Sequence, residues 1–222
     1  MKIVNFSEQN SIINTFLREL RSVDIQRDSM RFRRNIERIG EVMAYEISKT
    51  LHYEPETVLT PLAPIEMNVV RDRIVLGTIL RAGMPLHDGF FNYFDNAENA
   101  FISAYRRYKD DSHTEVEIVV EYMASPSLDG KVLILPDPML ATGGSMELAY
   151  TALQRNGKPS EVHFACVIAS QQAVDYLQKV MPEDATLWVA AIDPILNEHK
   201  YIVPGLGDAG DLCFGENSNH RH

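Results

Sequence analysis

The spacing of apolar positions alternates between two periods along the chain. Ile12, Ile13, Phe16, Leu17 and Leu20 recur at helical intervals within residues 10–21, which predicts a helix with one apolar stripe. Asp28 or Ser29 can cap a longer helix to about Lys49, with Phe32, Ile36, Ile39, Met43 and Ile47 along one face. These two helices read as an appendage to a sheet that starts later. Two short apolar pieces between Thr57 and Val69, broken by Pro61 and Pro64, fit edge strands or an arm. The run RIVLGTIL from Arg73 to Leu80 predicts the first strong core strand, and Pro85 suits the first turn of a helix to about Phe94.

Asn99 to Tyr108 predicts the next strand. Glu115 to Met123 (EVEIVVEYM) alternates in part and fits a strand with one wet face. The polar stretch Lys109–Thr114 predicts a mobile loop, so Tyr108 to Met123 reads as a flap-like hairpin. Val132 to Leu135 is a short continuous apolar run, as in a strand buried on both faces. Met146 to Arg155 reads as a helix ended by Gly157, and Glu161 to Ala169 as a strand. Ser170 can cap a helix to about Val180, and Ala185 to Ile192 predicts a further strand. Strands alternating with helices predict an α/β fold. The expected architecture is a mostly parallel sheet flanked by helices, with N-terminal helices and a β-hairpin arm or flap. At 222 residues one core suffices, so one domain over 1–222 is expected.

The formal net charge of -10 argues against a nucleic-acid partner, which requires a basic face. It also means that an anionic substrate must be held by local cations, helix N-termini or a metal. Arg27, Arg31, Arg33 and Arg34 crowd the start of the second helix, where a solvated face is the plain reading and a substrate or subunit contact the alternative. Cys166 sits in an apolar run and reads as a core thiol; with Cys213 it makes no disulfide framework or zinc pattern. No stretch is long enough to span a bilayer, and MKIVNFSEQN lacks an apolar leader core, so a cytoplasmic setting and no membrane partner are expected. The tail from Glu216 to His222 is polar and is expected to fray.

The chemistry concentrates in residues 131–145, KVLILPDPMLATGGS. A strand ends in Asp137 and Pro138, and Pro138 is expected to stop ladder pairing. Small residues Ala141-Thr142-Gly143-Gly144-Ser145 then lead into a helix. A helix N-terminus offers free N–H groups and the positive end of the dipole to a phosphate, and glycines let the backbone approach it. Thr142 and Ser145 add hydroxyl donors, and Asp137 can accept from sugar hydroxyls or help hold a divalent metal. A turn capped by Ser145 is the bland alternative. No Gly-Lys-Ser/Thr closes the loop, so it is not the nucleotide-triphosphatase P-loop. Two further strands end in arginine, at Arg81 and at Arg106-Arg107, and the carboxyl ends of parallel strands share one rim. Near the C-terminus, residues 205–210 match G-x-G-x-x-G. The dinucleotide reading fails there, because the remaining residues, DLCFGENSNHRH, do not make a helix with a strand after it. The loop can instead read a small planar ligand with its backbone edges, or be a plain closing turn.

Together these stretches closely resemble uracil phosphoribosyltransferases. The matching residues are Ile79–Gly83, Tyr105-Arg106, Asp137–Ser145, Asn197-Glu198-His199, and Tyr201 through Asp211, with Phe214-Gly215 near the end. The resemblance implies conversion of uracil and 5-phosphoribosyl 1-diphosphate (PRPP) to UMP and diphosphate, with Mg²⁺ held mainly through PRPP rather than by protein ligands. It implies that Asp137 holds the ribose hydroxyls, that Ala141, Thr142, Gly143, Gly144 and Ser145 cradle the 5′-phosphate, and that Pro138, Met139 and Leu140 also belong to the PRPP site. Arg81 and Arg106 would hold the diphosphate. Ile202, Gly207, Asp208 and Ala209 would form the uracil site, with Asp208 also near PRPP. Asp208 and Arg81 are the catalytic candidates, Asp208 as a base toward N1 of uracil or as a loop scaffold. His87 comes soon after the Arg81 motif and is tempting as a catalytic group, with helix packing as its competing role. A homo-oligomer, dimer or tetramer, and a GTP effector also belong to what the resemblance implies. The alternatives are a transferase for another nucleobase, and a regulatory protein that keeps the fold to bind uridine nucleotides or RNA.

Overall fold

The structure, a computed structural model, describes residues 1–108 and 116–216. The predicted loop at 109–114 and nearly all of the predicted fraying tail lie outside the described residues, as do the side chains of residues 104–120.

The chain opens with a strand that the apolar pattern did not single out, β1 (Lys2–Asn5), succeeded by helices α1 (Ile13–Arg21) and α2 (Ser29–Ser48). Strands β2 (Tyr53–Leu59) and β3 (Pro64–Val70) form a separate antiparallel hairpin, the expected arm, with Pro64 at a strand start. Next come β4 (Ile74–Ile79), α3 (Met84–Phe91) with Pro85 in its first turn, β5 (Glu98–Tyr108) and β6 (Val116–Ala124). After these come β7 (Val132–Pro136), the two-residue β8 (Met139–Leu140), α4 (Gly144–Leu153), β9 (Glu161–Ser170), α5 (Gln171–Val180) and β10 (Thr186–Asp193). The short antiparallel pair β11 (Ile195–Leu196) and β12 (Ile202–Val203) precedes α6 (Ala209–Phe214).

The main sheet runs β1-β10-β9-β7-β4-β5-β6. Every neighbour pair is parallel except β5 with β6, which form the expected hairpin. Alternate residues of β7 feed opposite faces. Val132 and Ile134 join a core with α1, α2, α3 and α6, while Leu133 and Leu135 join one with α4 and α5. The result is three layers, helices on both faces of the sheet.

Two expectations require correction. The N-terminal helices are not an appendage. Ile13, Leu20, Phe32, Ile36 and Ile39 are fully or almost fully buried against Leu76 and Trp188, and β1 sits beside β10 as a sheet edge, in register Ile3 to Leu187. The signal was the β-branched pair Ile3-Val4, masked by its short length. Nor does Pro138 stop the ladder. Val167 and Ile168 both donate N–H to the Pro138 carbonyl, at 3.1 and 3.0 Å, and pairing with β9 resumes at Met139 and Leu140. Pro138 lacks only a donor; its carbonyl still accepts.

Candidate active site

The rim where parallel strands end carries a cleft of about 370 Å³. Its lining includes Leu80, Arg81 and Ala82 from the turn after β4, Ser103 of β5, and Asp137, Met139 and Ser145 from the stretch after β7. Asp208, Ala209, Gly210 and Asp211 close it from the C-terminal loop and α6. Sequence segments more than 120 residues apart thus meet because β4 and β7 are paired neighbours and α6 packs back onto the core.

Asp137 leaves the ladder with its N–H on the Ala165 carbonyl at 2.9 Å, so its side chain begins where pairing breaks. It is only 9% exposed. Burial pushes its carboxyl up to about 7, against which a long 3.4 Å contact from the Met139 N–H acts weakly. A carboxyl poised near neutrality and open to a ligand on one side suits a site that accepts hydroxyl hydrogens.

The turn into α4 is built for close approach. Gly143 is the N-cap residue with φ +83°, and a Cβ there would lie 2.9 Å from the Tyr176 ring. Gly144 is buried, and its N–H meets the Thr142 hydroxyl at a marginal 3.4 Å. The Ser170 hydroxyl donates to the Ala141 carbonyl at 2.6 Å and pins the turn to the end of β9. Ser145 opens into the cleft, whereas Thr142 and Gly144 line a neighbouring depression against α5, and Leu140 is core. Pro138 is buried behind the rim.

Arg81 is half-exposed and lies 3.7 Å from Asp211. The Leu80–Arg81 peptide is cis. Arg106 belongs to β5 opposite Ile118, and its side chain and that of Arg107 lie outside the described residues. Asp208 caps α6 by accepting from the Asp211 N–H at 3.0 Å. The Ala209 N–H points at the Met139 sulfur at 3.3 Å, tying the C-terminal loop to the loop after β7. Ile202 is buried behind that loop, and Gly207, with φ +90°, is exposed on it. The glycine motif therefore does open a helix, of six residues, yet no strand comes after it among the described residues.

His87 does not line the cleft. It is buried, its Nε2 is 2.8 Å from Asn99 Oδ1, and its ring packs against Phe91 and Phe101. The arginines of α2 divide: Arg31 and Arg34 pair with Glu19 and with Glu37 and Glu41, while Arg33 donates to the Cys213 carbonyl at 2.5 Å and holds the end of α6. Both cysteines are buried and free, and the Cys213 thiol is pushed up to about 12 by burial.

Sequence reasoning named no individual role for Ser103, Gly210 or Asp211 in the cleft or for Asp193 behind it, and saw Ser170 only as a helix cap. Asp193 ends β10 much as Asp137 comes just after β7, so an acid at a strand's carboxyl end was the available signal. As for a metal, no group of three or more His, Cys, Asp or Glu able to hold one occurs among the described residues. The cleft acids Asp137, Asp208 and Asp211 offer only hard oxygen donors, and Asp208 is engaged as a cap. That donor set fits Mg²⁺ carried in by a polyphosphate, which takes one or two protein carboxylates at most. No helix among the described residues is long and apolar enough to cross a membrane.

Comparison with known proteins agrees on one family. A family model described as uracil phosphoribosyltransferase matches residues 7–216. A uracil phosphoribosyltransferase of Porphyromonas gingivalis is 59% identical over 97% of this chain and 99% of its own. One of Methanococcus vannielii is 34% identical over 96% of this chain and 90% of its own. Among solved structures, the AQ2163 protein from Aquifex aeolicus superposes with a TM-score of 0.84 at 27% identity, covering 97% of this chain and 99% of that one.

Proposed function

The chain belongs to the uracil phosphoribosyltransferase family, and on that premise we propose which of its residues carry the transfer. The activity is the joining of uracil N1 to C1 of PRPP, giving UMP and diphosphate. The C1–O bond breaks with its electron pair on the diphosphate, the N1–C1 bond forms, and the N1 proton leaves to a base.

Asp137 accepts from the ribose hydroxyls as its carboxylate. The turn from Ala141 to Ser145 presents N–H and hydroxyl donors to the 5′-phosphate at the start of α4. Arg81 and Arg106 stabilise the charge that grows on the diphosphate, and Mg²⁺ bound to that diphosphate supplies further charge neutralisation. Backbone edges at Ile202, Gly207 and Ala209 read uracil, because a base with the wrong edge leaves buried polar groups unpaired at a cost of about 1–3 kcal/mol each. Asp208 faces both ligands. Its cap bond supports a scaffold that also orients the substrates, with proton acceptance from N1 as the role to be tested. The observation that carries this reading is the single cleft shared by Arg81, Asp137 and Ser145 with the Asp208–Ala209 loop.

UMP formation from uracil and PRPP with Mg²⁺, run beside cytosine, hypoxanthine and orotate, tests it. Turnover with uracil alone is expected. Turnover with another base at a comparable rate would overturn the base assignment. Tight PRPP binding without turnover would leave the phosphate loop standing and overturn the catalytic roles.

Further parts of this reading concern the whole molecule. One domain spanning the chain, working in the cytoplasm, is supported by cores that join both termini and by two free cysteines. A homo-oligomer is supported by the arm. An isolated two-stranded hairpin is marginally stable at best, and here Leu59, Leu62, Ile65 and Met67 are exposed on it, an apolar surface that a second copy of the chain would cover. Light scattering of the intact protein and of a Leu62→Lys/Ile65→Lys variant tests that. GTP as an effector is decided by rate assays with and without it.

A further inference from the structure

The base-reading loop is gripped from behind by a pair of residues to which neither the motifs nor the comparisons assign a role. Arg21 is the last residue of α1 and Asp193 the last of β10. Their contact is a two-bond fork: Nη1 donates to Oδ2 at 2.7 Å and Nη2 to Oδ1 at 2.8 Å. The same pair takes both backbone groups of Gly205. Arg21 Nη1 donates to the Gly205 carbonyl at 2.9 Å, and the Gly205 N–H donates to Asp193 Oδ2 at 2.9 Å. Gly205 has φ +63°, and a Cβ there would meet the Ile202 carbonyl at 2.0 Å, so only glycine lets the loop take this path.

Asp193 is nearly buried, with 7% of its side chain exposed, and Arg21 is three-quarters covered. Charge-assisted, bidentate bonds of this kind fix geometry as well as contribute energy. Three residues on from the grip lies Asp208, and the adjoining Ala209 N–H rests on Met139. The loop is therefore anchored at two points, once at Gly205 and once at Ala209, with Leu206 and Gly207 between them and Asp208 at the cleft. Gly207 also approaches Gln26, whose side-chain oxygen would lie 3.7 Å from a Cβ there.

We propose that Arg21 and Asp193 are positioning residues for the base. They set where the loop from Gly205 to Ala209 stands relative to the PRPP half of the cleft, and through it they set uracil affinity. This rests on the uracil-transfer reading above and adds the part of the chain that tunes its base site. The physical ground is that a displacement of about 1 Å in a positioned reactant can cost on the order of a hundredfold in rate. None of the hydrogen bonds described for this pair reaches the loops after β4 or β7, so the larger effect falls on uracil, and PRPP feels the pair only through Asp208.

The test uses full-length Arg21→Lys, Asp193→Asn and the double variant Arg21→Met/Asp193→Asn, which leaves no unpaired buried charge. The readouts are KM and kcat for uracil at saturating PRPP, PRPP binding by calorimetry, and thermal stability. The double variant is expected to raise KM for uracil about tenfold or more while PRPP affinity stays within about twofold. Arg21→Lys keeps the charge but not the fork, so it should show the same split by a smaller factor even where the other variants fold poorly. Unchanged uracil kinetics in a folded double variant would overturn the proposal. So would a parallel loss of uracil and PRPP binding, which marks a merely structural pair. A wild-type protein with no uracil transfer would overturn the functional reading itself, and this inference with it.

Discussion

The Ser170 hydroxyl donates to the Ala141 carbonyl at 2.6 Å and accepts from the Ala173 N–H at 3.0 Å. One buried side chain thus caps α5 and holds the turn into α4, the proposed phosphate cradle. Ser170→Ala loses both bonds. A lost cap costs about 1 kcal/mol, and an orphaned carbonyl adds to it. The melting temperature should fall by about 2–4 °C per kcal/mol for a chain of this size. In the same variant the PRPP KM should rise while the uracil KM holds, which steady-state kinetics reads directly.

Gly143 is the position where a side chain is least tolerable in that turn. With φ +83° and Tyr176 and Leu177 within 2.9–3.3 Å of a Cβ, Gly143→Ala should strain the backbone and push on α5. Loss of about 1–3 kcal/mol of stability is expected. PRPP affinity, measured by calorimetry, should drop with it; wild-type affinity would show that the turn is not the phosphate cradle.

Asp137 should make both stability and PRPP binding depend on pH. Its carboxyl stands near 7 in the folded protein against an ordinary 3.8, so between these values the folded state keeps a proton that the unfolded state has lost. The resulting stability is fully present below about pH 4 and is lost as pH rises through 7, with a slope of at most about 1.4 kcal/mol per pH unit. His163, lowered by burial to about 4, pulls the other way. It is common to wild type and Asp137→Asn, so the difference between their chemical-denaturation curves isolates Asp137. PRPP binding to the carboxylate should also release a proton near pH 6. Calorimetry in buffers of different ionisation enthalpy measures it, and zero release would exclude the ribose-binding role.

His87 gives a negative control. Its ring fills a buried space between Phe91 and Phe101 and bonds Asn99. His87→Ala should cost about 2–4 kcal/mol of stability, as large-to-small core changes do. The pH profile of kcat should not move. A lost limb in that profile would return His87 to the chemistry.

Much was legible along the chain because it is local. Helix and strand periods, the Asp28 and Ser170 caps, the buried run at 132–135 and the small-residue turn after Asp137 all depend on neighbours within a few residues. The family motifs likewise located both halves of the cleft, the turn after β7 and the loop at 205–210. What the linear pattern could not hold is which distant pieces meet. The four-residue β1 is too short to announce itself, and only pairing with β10 makes it a strand. Helices α1 and α2 look detachable until the face they cover is known. Arg21 and Asp193 lie 172 residues apart, and nothing near either names the other. Asp137 becomes a near-neutral acid only through the desolvation that surrounding elements impose. Local propensity determined the parts and their order; burial and long-range pairing decided their partners, their charge states and the shape of the site.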